Sequence, residues 1–273
     1  MQRIATNGHA YYGMTPTVEA AWRELLLGIG HEAGVAFDFL PYPLPQPLEQ
    51  LWSRSDPSCV FMMCGYPIAM RHFEVTPIAA PIPLAPWAQG RALYRSDFIV
   101  KADSRFRTLT DTFGGRLGWT TKHSNSGFNA LRYHLLQYRT PDRPALYSHV
   151  AAELGSVRKL FDSVCEGTID VGPVDAYWHL LLQHHQPELA AQVRVIESTV
   201  TAPIPVFAAS PAVPPEIVER LLFSFTSAQH PPWFKSLADT IVIAGFAAAA
   251  LGDFEILGAR HEEAIRAGYP LPA

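Results

Sequence analysis

Cysteine is scarce in this chain, and its placement forms no framework. Three cysteines, Cys59, Cys64 and Cys165, stand in 273 residues with no CxxC spacing, which excludes a disulfide scaffold and the common zinc and thiol-redox motifs. Cys59 and Cys64 flank the apolar run Val60-Phe61-Met62-Met63 and are expected as buried thiols, because one short strand holds their Cα atoms too far apart to bridge. Charge is also sparse. Only 17% of residues are charged and the net charge is −4; with no Lys/Arg run, nucleic acid is not expected as a partner. Of the eleven histidines only His184-His185 are adjacent, and no HExxH or HxH appears, so no metal or cofactor is expected. The longest apolar run, Ile241 to Leu251, falls short of the ~20 residues of a membrane span and reads as a buried, alanine-rich helix. No apolar h-region follows Met1-Gln2-Arg3-Ile4-Ala5-Thr6-Asn7. As written the chain reads as cytoplasmic, and as periplasmic if a signal was removed.

What is abundant is apolar side chain, 48% of residues, enough for one large or two modest cores. Arg3–Thr6 reads as a strand running into a loop that holds Tyr11 and Tyr12. Thr15-Pro16-Thr17-Val18-Glu19 then opens a helix with a hydroxyl cap, an early proline and an acid. Its buried face is Val18, Ala21, Trp22, Leu25 and Ile29, and Gly30 or Gly34 ends it. Phe37–Tyr42 is a second strand, closed by the prolines at 41, 43, 45 and 47; Leu48–Trp52 is a short helix and Cys59–Cys64 a buried strand. This alternation builds a parallel sheet, whose ligands meet the carboxyl ends of the strands. There stand Tyr11 and Tyr12, and the loop Gly65-Tyr66-Pro67.

A second α/β rhythm follows. Arg116–Trp119 is a strand, and Trp119-Thr120-Thr121-Lys122-His123-Ser124-Asn125-Ser126-Gly127 leads into a helix whose face is Phe128, Leu131, Leu135 and Tyr138. By itself Ser124 or Asn125 caps that helix. At a strand end, with Gly127 permitting close approach, unpaired N–H groups and the positive helix end also make an anion pocket. Val157, Leu160, Phe161 and Val164 trace another helix, and the strand Thr168–Asp175 ends at an acid that caps the next. Two long extended stretches, Ala92–Lys101 and Val193–Phe207, join the rhythms. They predict two lobes, 1–97 with 198–273, and an inserted 98–197, with Tyr66 from one and Ser124–Gly127 with Asp175 from the other lining a cleft.

Tyr94-Arg95-Ser96, Ile99-Val100-Lys101-Ala102-Asp103-Ser104, Leu109-Thr110-Asp111 with Gly115, Ser124-Asn125-Ser126-Gly127, and Val164–Val171 with Val174-Asp175 together resemble the substrate-binding proteins of phosphate/phosphonate ABC transporters. The resemblance implies an α/β, two-lobed type II periplasmic-binding-protein fold, each lobe a mainly parallel sheet flanked by helices, with two hinge crossings. It implies a solute-binding protein that closes on a small anion, phosphonate, phosphate or carboxylate, and an ABC-transporter permease as partner, the protein being a monomer or weak dimer. By the same match Ser124, Asn125, Ser126 and Gly127 donate to the anion and Asp175 faces it. Gly65, Tyr66, Tyr11, Tyr12 and Thr120 are the further ligand candidates. One departure stands at Gly155-Ser156-Val157, where family members often carry a histidine in place of Val157. An enzyme or a ligand-sensing module on the same fold is the alternative. His9, His72 and His123 would then be candidate bases, but no nucleophile-base constellation such as GxSxG accompanies them.

Overall fold

In the computed structural model of this chain, residues 2–40, 52–53 and 58–273 are described. The first strand, β1 (Gln2–Thr6), leads to α1 (Pro16–Ala33). Thr15 Oγ1 accepts from the Val18 N–H, Pro16 occupies the first turn, and Gly34 at φ 67 ends the helix. That φ suits a residue without Cβ. Gly30 lies inside the helix, and the stop belongs to Gly34 alone. Next come β2 (Val35–Phe39), β3 (Cys59–Met63), α2 (Gly65–Ala69) and β4 (Thr76–Pro83). Gly65-Tyr66-Pro67, expected as a loop, is the first turn of α2. The expected prolines at 41–47 and most of the helix at 48–52 lie outside the described residues. Cys59 and Cys64 are buried and joined in no disulfide.

The chain continues through β5 (Leu93–Tyr94), β6 (Ser96–Lys101), β7 (Arg116–Gly118), a π-type helical turn (Asn125–Asn129), α3 (Ala130–Leu135), β8 (His149–Ala151) and α4 (Val157–Glu166). It returns by β9 (Gly172–Asp175), α5 (Ala176–His185), α6 (Pro187–Ala190), β10 (Val193–Ser198), β11 (Ala202–Pro203) and β12 (Val206–Ala209). The last elements are α7 (Pro215–Ser227), α8 (Phe234–Ile241), β13 (Ile243–Ala248) and α9 (Glu255–Arg266). Among the described residues no helix is long and apolar enough to cross a membrane.

The residues form two units, Met1–Leu93 with Pro203–Phe254, and Tyr94–Ala202 with Glu255–Ala273. The first holds a six-stranded sheet in the order β13-β4-β12-β3-β1-β2. Pairing is parallel over β2-β1-β3 and antiparallel where β12 enters between β3 and β4 and where β13 joins the edge. The expectation of a mainly parallel sheet thus holds for its first half. The reason for the change is the chain path. The returning segment re-enters beside the one that left, Ile204 N–H donating to Ala92 O at 3.2 Å, so β12 runs back along β4. Trp22, Phe207, Phe225 and Phe246 fill the core, with Phe207 stacked on Phe225 at 4.8 Å. Each such ring contributes about 1.5–3 kcal/mol by burial.

The same logic shapes the second unit. The entering strand β6 pairs antiparallel with the leaving strand β10 and with β9, giving the order β10-β6-β9, while β7 and β8 pair in parallel. The two expected crossings fall at 93/94 and 202/203, and the chain crosses once more at 254/255. The terminal stretch, expected with the first lobe, therefore belongs to the second unit. Polar contacts fix it there. Asn129 Nδ2 donates to Leu257 O at 3.0 Å, Arg132 Nη1 to Pro270 O at 2.8 Å, and the Leu146 N–H to Ala273 O at 2.8 Å.

One helix expectation is overturned outright. The run Ile241–Leu251 is the end of α8 and then strand β13, which pairs antiparallel with β4, Phe246 opposite Pro81. Val242 at φ 55 breaks the helix. The hydrogen-bonding edge of β4 overrides the helix preference of the alanines.

Candidate anion-binding turn

Thr120 follows β7, and its surroundings are tight. Its N–H donates to Gly127 O at 3.4 Å, and its carbonyl accepts from the Gly155 N–H at 3.1 Å. A Cβ on Gly127 would stand 2.0 Å from Thr120 Oγ1, so glycine is required here by the threonine packed against it. Thr120 Oγ1 is itself buried with no hydrogen-bond partner. An unmet buried hydroxyl costs about 1–3 kcal/mol.

The helical stretch opens at Ser124, whose backbone is extended (φ −79, ψ 131) and whose Oγ accepts from the Gly127 N–H at 2.9 Å. The helix expected from Phe128 onward begins earlier and wider, as the π-type turn Asn125–Asn129, before α3 takes over. Asn129 N–H donates to Ser124 O and the Ala130 N–H to Asn125 O. Groups at the head of such a stretch have no intrahelical acceptor, and the side-chain cap takes only that of Gly127. Asn125 is buried, its Nδ2 donating to Tyr94 Oη at 3.1 Å and its Oδ1 accepting from Asn129 Nδ2 at 3.3 Å. Asn125 therefore braces the turn from behind.

Ser96 ties this turn to the acid. Its Oγ donates to Ser126 O at 2.9 Å, and in the ladder it stands opposite Asp175. Asp175, buried, caps α5 by accepting from the Tyr177 and Trp178 N–H groups at 2.9 and 3.1 Å. Burial, aided by the Asp175 charge, pushes the Tyr177 phenol well above its usual range. Beside Ser96, Asp97 is held below the usual carboxylate range. Burial works against this, but hydrogen bonds from His179 and Ser198 and the charge of Arg95 outweigh it. A further helix start arrives at the same strand end: Ser156 Oγ accepts from the Lys159 N–H at 3.1 Å and caps α4, with Gly155 at φ 88 just before it. The second unit thus gathers Thr120, Ser124, Asn125, Ser126, Gly127 and Asp175.

The remaining candidates lie in the first unit, at the carboxyl ends of β1 and β3. Gly65 and Tyr66 are buried in the first turn of α2. Tyr12 is buried and meets Tyr11 edge-on at 5.0 Å. His9 is buried there too, edge-on to Phe39, and burial lowers its pKa against the opposing charge of Glu19. Sequence reasoning gave no role to Ser96, Asn129, Arg132 or Tyr94. Asn129 and Arg132 carried a signal, a polar pair one turn apart on a helix. Arg132 is fully buried, donating to Asn129 Oδ1 at 3.0 Å and lying 4.8 Å over the Phe128 ring.

Comparison with known proteins bears on this arrangement. No curated protein matches the chain. Among solved structures, a binding component of an ABC phosphonate transporter from Pseudomonas aeruginosa aligns with a TM-score of 0.79 at 15% identity, over 98% of this chain and 87% of that one. A Prochlorococcus marinus protein in complex with methylphosphonate gives 0.75 at 11% identity, over 96% and 97%. A Xanthomonas citri protein bound to ATP gives 0.63 at 17% identity, over 98% of each chain. At these identities the likenesses establish the two-lobed α/β binding-protein fold. Residues 14–254 match the family described as "ABC transporter, phosphonate, periplasmic substrate-binding protein", and the chain belongs to that family.

Proposed function

We propose that this protein binds a small anion of the phosphonate class on the Thr120–Gly127 turn of its second unit and presents it to an ABC permease. Membership of the family implies a small-molecule ligand, a permease partner and the periplasm as the compartment of the family. The observation that supports the turn as the site is its construction. A strand end, a helix start and an acid-capped helix are tied together by Ser96. Oxygens of a phosphonate suit such N–H and hydroxyl donors. Asp175 would repel a bare anion, so in this reading it accepts from a ligand hydroxyl, amine or protonated oxygen. That favours a ligand with both anionic and donor groups. Gly65, Tyr66, Tyr11 and Tyr12 are the candidate groups of the first unit.

Isothermal titration with methylphosphonate, phosphate and adipate tests the proposal. Methylphosphonate binding is expected to weaken at least tenfold in Ser126→Ala and to change its ligand preference in Asp175→Ala. Binding like the wild type in both variants would show that the turn is not the site. Tyr66→Phe and Tyr12→Phe in the same series report on the first unit.

A further inference from the structure

Carboxylates answer several cations of the second unit. Arg95 lies 2.9 Å from Asp97, Arg116 2.7 Å from Asp170, Lys122 3.5 Å from Glu153 and Arg158 2.9 Å from Asp162. Arg260, on α9, is placed differently. Its Nη2 donates to Thr201 O at 3.1 Å and its guanidinium carbon lies 5.4 Å from the centroid of the Tyr133 ring. Its Nη1 is buried and meets no acceptor, and among the described residues Arg260 pairs with no carboxylate. A guanidinium does not lose its proton in a protein, so this is a fixed, half-buried and uncompensated positive charge.

Its position is tied to the anion-binding turn. Helix α9 is fastened to that turn by Leu257, whose carbonyl accepts from Asn129 Nδ2 at 3.0 Å, and by His261, whose Nδ1 lies 2.8 Å from Arg132 Nη2. Arg260 follows Leu257 by just under one helical turn. Tyr133 follows Asn129 by one turn in the same helical stretch, so the ring 5.4 Å from the Arg260 guanidinium stands one turn past the anion-binding turn. Asp175, in the same unit, is anionic and opposes a bound anion. A cation in the same unit would offset that charge, and a half-buried charge is screened by water and salt less than an exposed one, so its field reaches beyond its own contacts.

We propose that Arg260 is the charge-compensating residue for the anion held at the Thr120–Gly127 turn, acting through the field of its unpaired guanidinium without touching the ligand. The inference rests on the anion-binding reading given above. It makes Arg260 a specificity-determining residue, favouring anions over neutral molecules of the same shape.

The test is titration of methylphosphonate at low ionic strength into wild type, Arg260→Lys, Arg260→Gln and Arg260→Met, with thermal unfolding of each variant as a check on folding. Lysine keeps the charge; glutamine keeps a donor for Thr201 O without charge; methionine removes both and leaves no unmet donor that could prevent folding. Expected affinities are within about threefold of wild type for Lys and at least tenfold weaker for Gln and Met, with the loss shrinking as salt is raised. Lys as weak as Met, or Gln equal to wild type, would identify a structural strut to Thr201 and overturn the proposal. A wild type that binds no anion overturns both readings. A Ser126→Ala defect with unchanged Arg260→Gln and Arg260→Met overturns this one alone.

Discussion

Gly127 and Thr120 show how a single residue is constrained by its neighbour. In the sequence, Gly127 invites the reading that a ligand needs to come close. In the fold, the close approach is already occupied by Thr120, whose Oγ1 would be 2.0 Å from an added Cβ. Gly127→Ala is therefore expected to destabilise the protein by about 1–3 kcal/mol through overpacking. Thr120→Ala in the same chain is expected to restore part of that, since it removes Oγ1 and Cγ2 from the collision. Urea unfolding of the two single variants and the double variant measures the coupling.

At the scale of elements, one carboxylate anchors the start of β7. Asp170 accepts from the Arg116 N–H at 2.8 Å and from its Nη2 at 2.7 Å. The hydrogen bond from the Arg116 side chain holds the Asp170 carboxyl below the usual carboxylate range, burial opposing it. As pH falls, the unfolded chain takes up its proton first, at about pH 3.9. The stabilisation is thus complete above that pH and is lost as pH falls through the lower folded value. Guanidinium midpoints measured from pH 7 to pH 2 should fall more gently at the acid end in Asp170→Asn than in wild type. Identical acid limbs would remove Asp170 from the account. Elements were legible to different degrees. The cap, face and glycine stop of α1 were readable because each rests on local chemistry. Strand β13 was not, because Ala247 and Ala248 say helix by propensity and only the free edge of β4 makes them a strand. The Asn125–Asn129 turn was read as an ordinary helix start, because the wider winding comes from Asn129 and Arg132 reaching across to α9.

For the whole molecule, a ligand that binds only the folded chain stabilises it by mass action. At one hundred times its dissociation constant the gain is about 2.7 kcal/mol. Methylphosphonate is expected to raise the melting temperature with concentration, while a neutral ester of the same size is not. A differential scanning fluorimetry series checks this, and the absence of any shift up to millimolar ligand counts against anion binding. The amino-acid sequence by itself determined the α/β alternation, the two extended crossings, the strand end before Thr120 and Asp175 as a helix cap, and it narrowed the cap ahead of Phe128 to Ser124 or Asn125. Each of these follows from periodicity or from a side chain serving its own backbone a few residues away. Only the tertiary structure decided the sheet order, the place of the last nineteen residues, Glu255–Ala273, in the second unit, and the meeting of Ser96 with Ser126 across 30 positions of sequence. It alone set Arg260 beside Tyr133 without a carboxylate. Contacts between distant segments depend on how the chain turns back on itself, and no local pattern records them.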